Sequence, residues 1–426
     1  MTACVPLNPA DHFLLAMDRE IRKAGLPGAW CAFALELGGE PDGDALETGL
    51  AELARRFPVL GGRLVARGRR FAWQVPENPV IPLYHHTWDG AVSPALETLL
   101  NGAGDAFASP PLDFHCFRGE ERCLLVARWL HPLLDAGGVR RLFDYLAAPQ
   151  RRDRYHGDES SLVLRRLRSW SWPRRLRLLW RGKRHNDWID RLASSQPARP
   201  ADGTRRLRHT LLRLDESETA QVLASARRRV GLGGQTLYLI GSLMRALEAA
   251  GPALRRDAWC IPYAFDLRPG NAPVPVTGNQ VAALFAQADH ATTTDRDALF
   301  RHLRAQHEDA VRRELDQAYL PLMWLGQWLP LVRYAEILRW QKSGGERASA
   351  WFSDVGEVRW ATPDFLGAPL VGVHHACQIT APPGLAVLFA RHGGRLQAAI
   401  NYLTPDFDAA WIDRFRRHLR DELLAG

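Results

Sequence analysis

The 426 residues, 46% of them hydrophobic, suffice to bury a sizeable core and make roughly two to three domains of a globular protein. The net charge of +8 is local: Arg151 to Arg208 holds 17 Lys/Arg against 6 Asp/Glu, an excess of +11 that leaves the remainder near −3. No run of about 18 apolar residues suggests a membrane span, Met1–Leu15 lacks the basic and apolar regions of a secretory signal, and the six cysteines lack metal-ligand spacing, so a cytoplasmic chain with reduced thiols and no metal is expected.

In chain order, Cys4–Leu14 reads as a Pro-containing lead-in and Ala29–Leu37 as a first strand. Asp44 and Glu47 form a capping-box pattern for a helix carried by Leu46, Leu50, Leu53 and Ala54 and stopped at Phe57-Pro58. Strands are expected at Arg63–Ala66 and Arg70–Val75, joined by a turn at Arg67–Arg69, and within Ile81–Trp88, where His85 and His86 must point to opposite faces. A short helix at Ser93–Asn101 precedes a hairpin of Leu112–Phe117 and Arg122–Trp129, whose turn is flanked by Cys116 and Cys123 as packed thiols. Gly137–Ala147 is helical, with Val139, Leu142, Phe143 and Leu146 on one face.

Residues 162–183 interleave arginine with leucine and tryptophan. Pro173 starts a new helical turn, and Leu176, Leu179 and Trp180 share a face. Two readings stand level, an interfacial helix on an anionic membrane surface and a solvated basic face packed on the core; an acidic carrier protein or nucleotide phosphates come next. No nucleic-acid motif accompanies the patch, so no nucleic-acid partner is expected. The polar, Pro- and Gly-containing stretch Ser194–Thr204 reads as a linker between an N-terminal part, 1–195, and a C-terminal part, 196–426.

The second half repeats the pattern with a strand at Arg206–Leu214, helices at Glu216–Arg229 and Gln235–Ala250, a strand at Cys260–Arg268, a Pro-rich loop at Pro269–Thr277, and Gly278-Asn279. Leu320–Val332, interrupted by Pro321 and Pro330, reads as a buried helix pair, an acyl-pocket lining or a membrane contact. Strands at Ala350–Arg359, Ala386–Arg391 and Leu396–Tyr402 and a helix at Asp406–Leu424 close the chain. Alternating strands and helices place it in the α/β class.

The stretch Leu124–Tyr145 organises the rest. A buried-looking strand runs into a loop bearing His131 and Asp135, flanked by Leu133 and Leu134, and then into a helix. Ionisable groups in such a setting are costly, so the pair is either a satisfied polar pair in the core or a positioned general base. His374-His375 is no second copy, because no carboxylate follows at the matching distance.

His131-x-x-x-Asp135, with Asp266-Leu267-Arg268-Pro269 and Gly278-Asn279, resembles the chloramphenicol-acetyltransferase-like acyltransferases. That superfamily includes peptide-synthetase condensation domains, plant-type alcohol acyltransferases and wax ester synthase/diacylglycerol acyltransferases, the last nearest in look. Pro6–Leu15, Arg56–Leu60 and Phe352–Gly356 are similar to further landmarks in the family's order. The usual pattern is H-H-x-x-x-D-G; here Leu130 and Ala136 replace its first and last residues, with Gly137-Gly138 expected to supply the turn's freedom.

The resemblance implies two subdomains with mixed β-sheets flanked by helices and an active-site tunnel at their interface. It implies His131 as the base that activates a hydroxyl or amine acceptor toward an acyl thioester, and Asp135 as the structural partner of Arg268. Backbone N–H groups at Gly137, with Ser353 and Asn279, become oxyanion or supporting groups. Acyl-CoA is the expected co-substrate, an acyl carrier protein the alternative donor, with no bound cofactor and a monomeric state.

Overall fold

The computed structural model describes residues 3–68, 70–102, 104–105, 107–157, 162–268, 274–342, 344–359 and 363–426. Arg69 of the expected turn and residues 269–273 of the Pro-rich loop, Pro269 of the motif among them, lie outside the described residues.

The strand Trp30–Leu37 (WCAFALEL) is buried along its whole length, which explains its almost unbroken apolar run: it is covered on both faces. It pairs antiparallel on one side with Cys123–Leu130 and on the other with Ala368–Cys377. Leu112–Arg118, Leu83–Thr87 and the short Asp364–Phe365 complete a six-stranded mixed sheet. The second sheet has the order Trp351–Glu357, Leu385–His392, Arg395–Thr404, Arg206–Arg213, parallel at its first pair and antiparallel elsewhere. Ala258–Asp266 and Val281–Asp289 form a separate antiparallel ladder. Helices pack on these sheets, giving the expected α/β class.

Several expectations shift. The lead-in contains a helix, Pro9–Lys23, whose N-cap Asn8 forms a capping box with Asp11 and whose first position is Pro9. The helix Gly43–Arg56 is capped by Asp42 rather than Asp44, the Asp42 side chain accepting from the N–H of Ala45. The strand Ala368–Cys377 was not anticipated, and it carries His374 and His375 into the first sheet. The linker reading of Ser194–Thr204 needs correction, because Ser194 to Ala198 are buried and Ser195 and Gln196 donate backbone hydrogen bonds to Ala258 and Leu254. Polarity there serves hydrogen bonding inside the fold rather than solvation.

A cut between residues 195 and 196 does not separate the two hydrophobic cores. Val163, Leu167 and Leu178 join the core of the second half, whereas Val373 and Ala376 join that of the first. The Sγ atoms of Cys116 and Cys123 lie 3.4 Å apart as thiols. No helix among the described residues is long and apolar enough to cross a membrane.

Candidate active site

Strand register places the candidate base. Trp30 faces Leu130 at the end of the central pair, so His131 is the first residue beyond the ladder, where its N–H donates to Ala29 O at 2.8 Å. The chain then turns sharply and enters the helix Ala136–Ala147 with Asp135 as N-cap, its Oδ1 accepting from Gly138 N–H at 2.8 Å. Trp129 fixes the turn from the strand side, its indole N–H donating to Leu134 O at 2.8 Å.

Three consecutive residues of the second half hold alternate residues of this turn. Gly278 N–H donates to Leu133 O at 2.7 Å, Asn279 Nδ2 to His131 O at 2.9 Å, and Gln280 N–H to Asp135 Oδ2 at 2.9 Å. Gly278 has φ +74°, a backbone conformation open to glycine at little cost. Asn279 is itself held by Asp11, whose Oδ1 accepts from its N–H at 2.7 Å and from its Nδ2 at 2.9 Å. Asp11, from the unanticipated first helix, is the residue that sequence reasoning missed. Its signal was the Asn8/Asp11 capping spacing, which locates the helix but not the partner.

Asp135 and Arg268 meet as the resemblance implies. Arg268 Nη1 donates to Asp135 Oδ2 at 3.0 Å, with both side chains almost fully enclosed, and also approaches the exposed Asp266 at 3.3 Å. Burial alone would raise the carboxyl's pKa; Arg268 and the N–H donors of Gln280 and Gly138 overcome this and hold it below the ordinary aspartate value. Asp135 is therefore an anion fully engaged with Arg268, Gln280 and Gly138.

His131 is half-buried. Burial pushes its ring below the ordinary histidine value, outweighing the opposing pulls of its own carbonyl, Asp135 and Asn279, so it is neutral near pH 7. Its Nδ1 is enclosed without a hydrogen-bond partner of standard geometry. A neutral imidazole with a free nitrogen can accept a proton.

The remaining predicted residues separate into donors and supports. Gly137 occupies the second position of the helix, where its N–H has no acceptor among the described residues. Asn279 cannot double as an oxyanion donor, because its amide N–H groups are already engaged by Asp11 and His131 O. Arg268 likewise supports the turn through Asp135. Ser353 lies half-buried on the strand Trp351–Glu357, with no hydrogen bond among the described residues to the His131 turn. That strand is tied to the helix Ala136–Ala147 by Arg140 Nη1, which donates to Val355 O at 3.2 Å and Glu357 O at 3.4 Å.

The reason for Gly137-Gly138 is also corrected: neither has a positive φ. Gly138 is needed for closeness, since a Cβ there would stand 2.4 Å from Val276 O. Ala136 is simply the first helical residue, so the alanine does not strain the turn. A cavity of about 910 Å³ opens between the two sheets, where Glu36, Arg122, Arg213 and His374 are among its lining; His131 is not. No group of three or more His, Cys, Asp or Glu among the described residues is placed to hold a metal ion.

No family model and no curated protein matches this sequence. Solved structures do. TRI3 trichothecene 15-O-acetyltransferase from Fusarium sporotrichioides superposes with a TM-score of 0.71 at 10% identity, over 99% of this chain and 95% of that one. The first condensation domain of the calcium-dependent antibiotic synthetase gives 0.71 at 14% identity over 99% and 96%. The epimerization domain from the third module of tyrocidine synthetase B gives 0.68 at 12% identity over 100% and 96%. At such identities the likeness is one of fold: the chain has the two-subdomain fold of condensation domains and chloramphenicol-acetyltransferase-like acyltransferases.

Proposed function

We propose that the protein is an acyltransferase in which His131 is the general base, moving an acyl group from acyl-CoA to a hydroxyl or amine acceptor of lipid or secondary-metabolite type. One observation carries the reading: a neutral histidine with a free ring nitrogen sits at a strand end, while the only carboxylate of its motif is locked to Arg268 and turned to structural use. Nε2 takes the acceptor's proton as its oxygen or nitrogen attacks the thioester carbonyl. The new C–O or C–N bond forms, the C–S bond breaks, and the proton passes to the departing thiolate as free CoA. No enzyme-bound acyl intermediate is required. The Gly137 N–H is the proposed donor to the developing oxyanion, with Ser353 a second candidate. The enzyme acts as a monomer in the cytoplasm in this reading.

The test is a panel of acyl-CoA donors against alcohols, amines and lipid extracts, read by free CoA and product mass. Turnover is expected, and His131→Ala should lower it by about 10²–10⁴-fold, the usual contribution of a positioned base, while leaving the fold intact. Near wild-type turnover in that variant would refute the assignment. The condensation domains among the neighbours favour one alternative donor, a carrier-bound thioester; turnover with loaded carrier protein and none with acyl-CoA would select it. Absence of turnover with either donor would favour a non-catalytic module that retains the fold.

A further inference from the structure

The helix Trp172–Ile189 buries Leu178, Gly182, His185 and Ile189 and turns the opposite face, Trp172, Leu176 and Trp180, to solvent. Trp172 is 62% exposed and Trp180 58%, unusual for indoles. Beside them, across a groove of about 290 Å³, lie the exposed Trp324 and Leu325 of the helix Leu315–Gly326. The groove shares Leu164, Arg168 and Trp324 with a second cavity of about 250 Å³ that reaches Trp328, itself 54% exposed. The buried-pair reading of Leu320–Val332 thus holds for Leu320 and Met323 but not for this outer row. A continuous apolar face of this kind marks an interaction surface.

Charge identifies the partner. Arg168, Arg175, Arg177 and Arg184 border the face, and none joins an ion pair among the described residues. Arg174 and Arg181 instead share the one carboxylate of Glu314 at 2.7 and 2.8 Å, and Lys183 pairs with Asp187 at 2.6 Å. The Arg184 guanidinium lies 4.5 Å over the Trp180 ring, which keeps cation and indole at one level. Unpaired arginines around outward tryptophan and leucine suit lipid phosphates with the acyl boundary beneath them. A second copy of the chain would bring the same positive rim against itself.

We propose that this face docks on the surface of an anionic lipid bilayer, with Trp172, Leu176, Trp180 and Trp324 entering the headgroup boundary and the arginines meeting phosphates. The proposal does not depend on the acyl-transfer reading. The full-length chain is mixed with phosphatidylcholine vesicles, with and without about one-third phosphatidylglycerol, and recovered by flotation. Binding is expected only to the anionic vesicles and should weaken with salt. Arg177→Gln together with Arg184→Gln should lower the partition coefficient by roughly fivefold per arginine. Trp172→Ser together with Trp180→Ser should abolish binding while circular dichroism and the thermal midpoint stay unchanged, since these side chains face solvent. Equal binding to neutral vesicles, or binding indifferent to all four substitutions, would overturn the proposal. So would a dimer that the tryptophan changes disperse in a protein that never floats with vesicles.

Discussion

Replacing Arg268 by methionine removes the cation that is ion-paired with Asp135. At 3.0 Å the direct attraction is about 5 kcal/mol for an effective dielectric near 20, and the desolvation of both groups offsets part of it. Two N–H donors, from Gly138 and Gln280, remain on the carboxylate, but they do not neutralise a charge that is almost fully enclosed. Arg268→Met should therefore cost about 3–5 kcal/mol, the range for orphaning one member of a buried pair. Asp135→Asn should cost less, by about 1 kcal/mol or more, because Arg268 keeps Asp266 at 3.3 Å and the exposed Asp266 needs little desolvation. The double variant should be less destabilised than the sum of the two, since neither partner is then left alone. Urea denaturation of the four proteins measures the cycle, with acyl transfer assayed alongside because the pair anchors the turn bearing His131. Strictly additive losses, or a larger loss for Asp135→Asn than for Arg268→Met, would refute the account of Asp135 as a charge stabilised chiefly by Arg268.

Two further outcomes follow from the same turn. Burial lowers the His131 pKa below the ordinary 6.5, so the neutral base persists as pH falls through 6.5, and the acid limb of kcat/KM should appear below that value; a limb at or above it would contradict a base held neutral by burial. Gly138→Ala would put a methyl group 2.4 Å from Val276 O, forcing the helix start away from the chain at Val276, at about 1–3 kcal/mol and with a fall in kcat, whereas a thermal midpoint equal to wild type would show that the contact is not tight.

What could be read from the sequence was what local chemistry encodes. The strand, loop and helix around His131 follow from an apolar run, a polar interruption and a helical stripe, and the structure places them within a residue or so of the expected bounds. The pairing of Asp135 with Arg268 required a family resemblance, because nothing local joins residues so far apart. Asp11 escaped for the same reason: its capping spacing with Asn8 is visible, but its second use on Asn279 is a tertiary fact. The strand Ala368–Cys377 was hidden because Gly372 and His374-His375 interrupt its apolar pattern, and what stabilises it is the ladder to Trp30–Leu37, with His374 bonded to Glu36 at 3.0 Å. In Ser194–Ala198 the composition of a linker described a buried, hydrogen-bonded segment, since composition cannot distinguish polar groups facing water from polar groups facing partners.

The geometry of Gly278–Gln280 bears on why the turn can do without its expected first histidine and final glycine. If side chains at 130 and 136 set the turn, leucine and alanine there would disturb it. The binding is instead made at residues 133, 131 and 135, by a backbone N–H, an amide side chain and another backbone N–H, respectively, from three successive residues. Leu130 is free to complete the strand, fully buried opposite Trp30, and Ala136 to begin the helix. The donor row is rigid because Asp11 grips Asn279 twice while Asn279 and Gln280 are both fully buried. Placement of the base thus depends on the second half's Gly278–Gln280 segment docking against the first half's loop, and a substitution at Asp11, far from His131 in sequence, acts on His131 through one intervening residue.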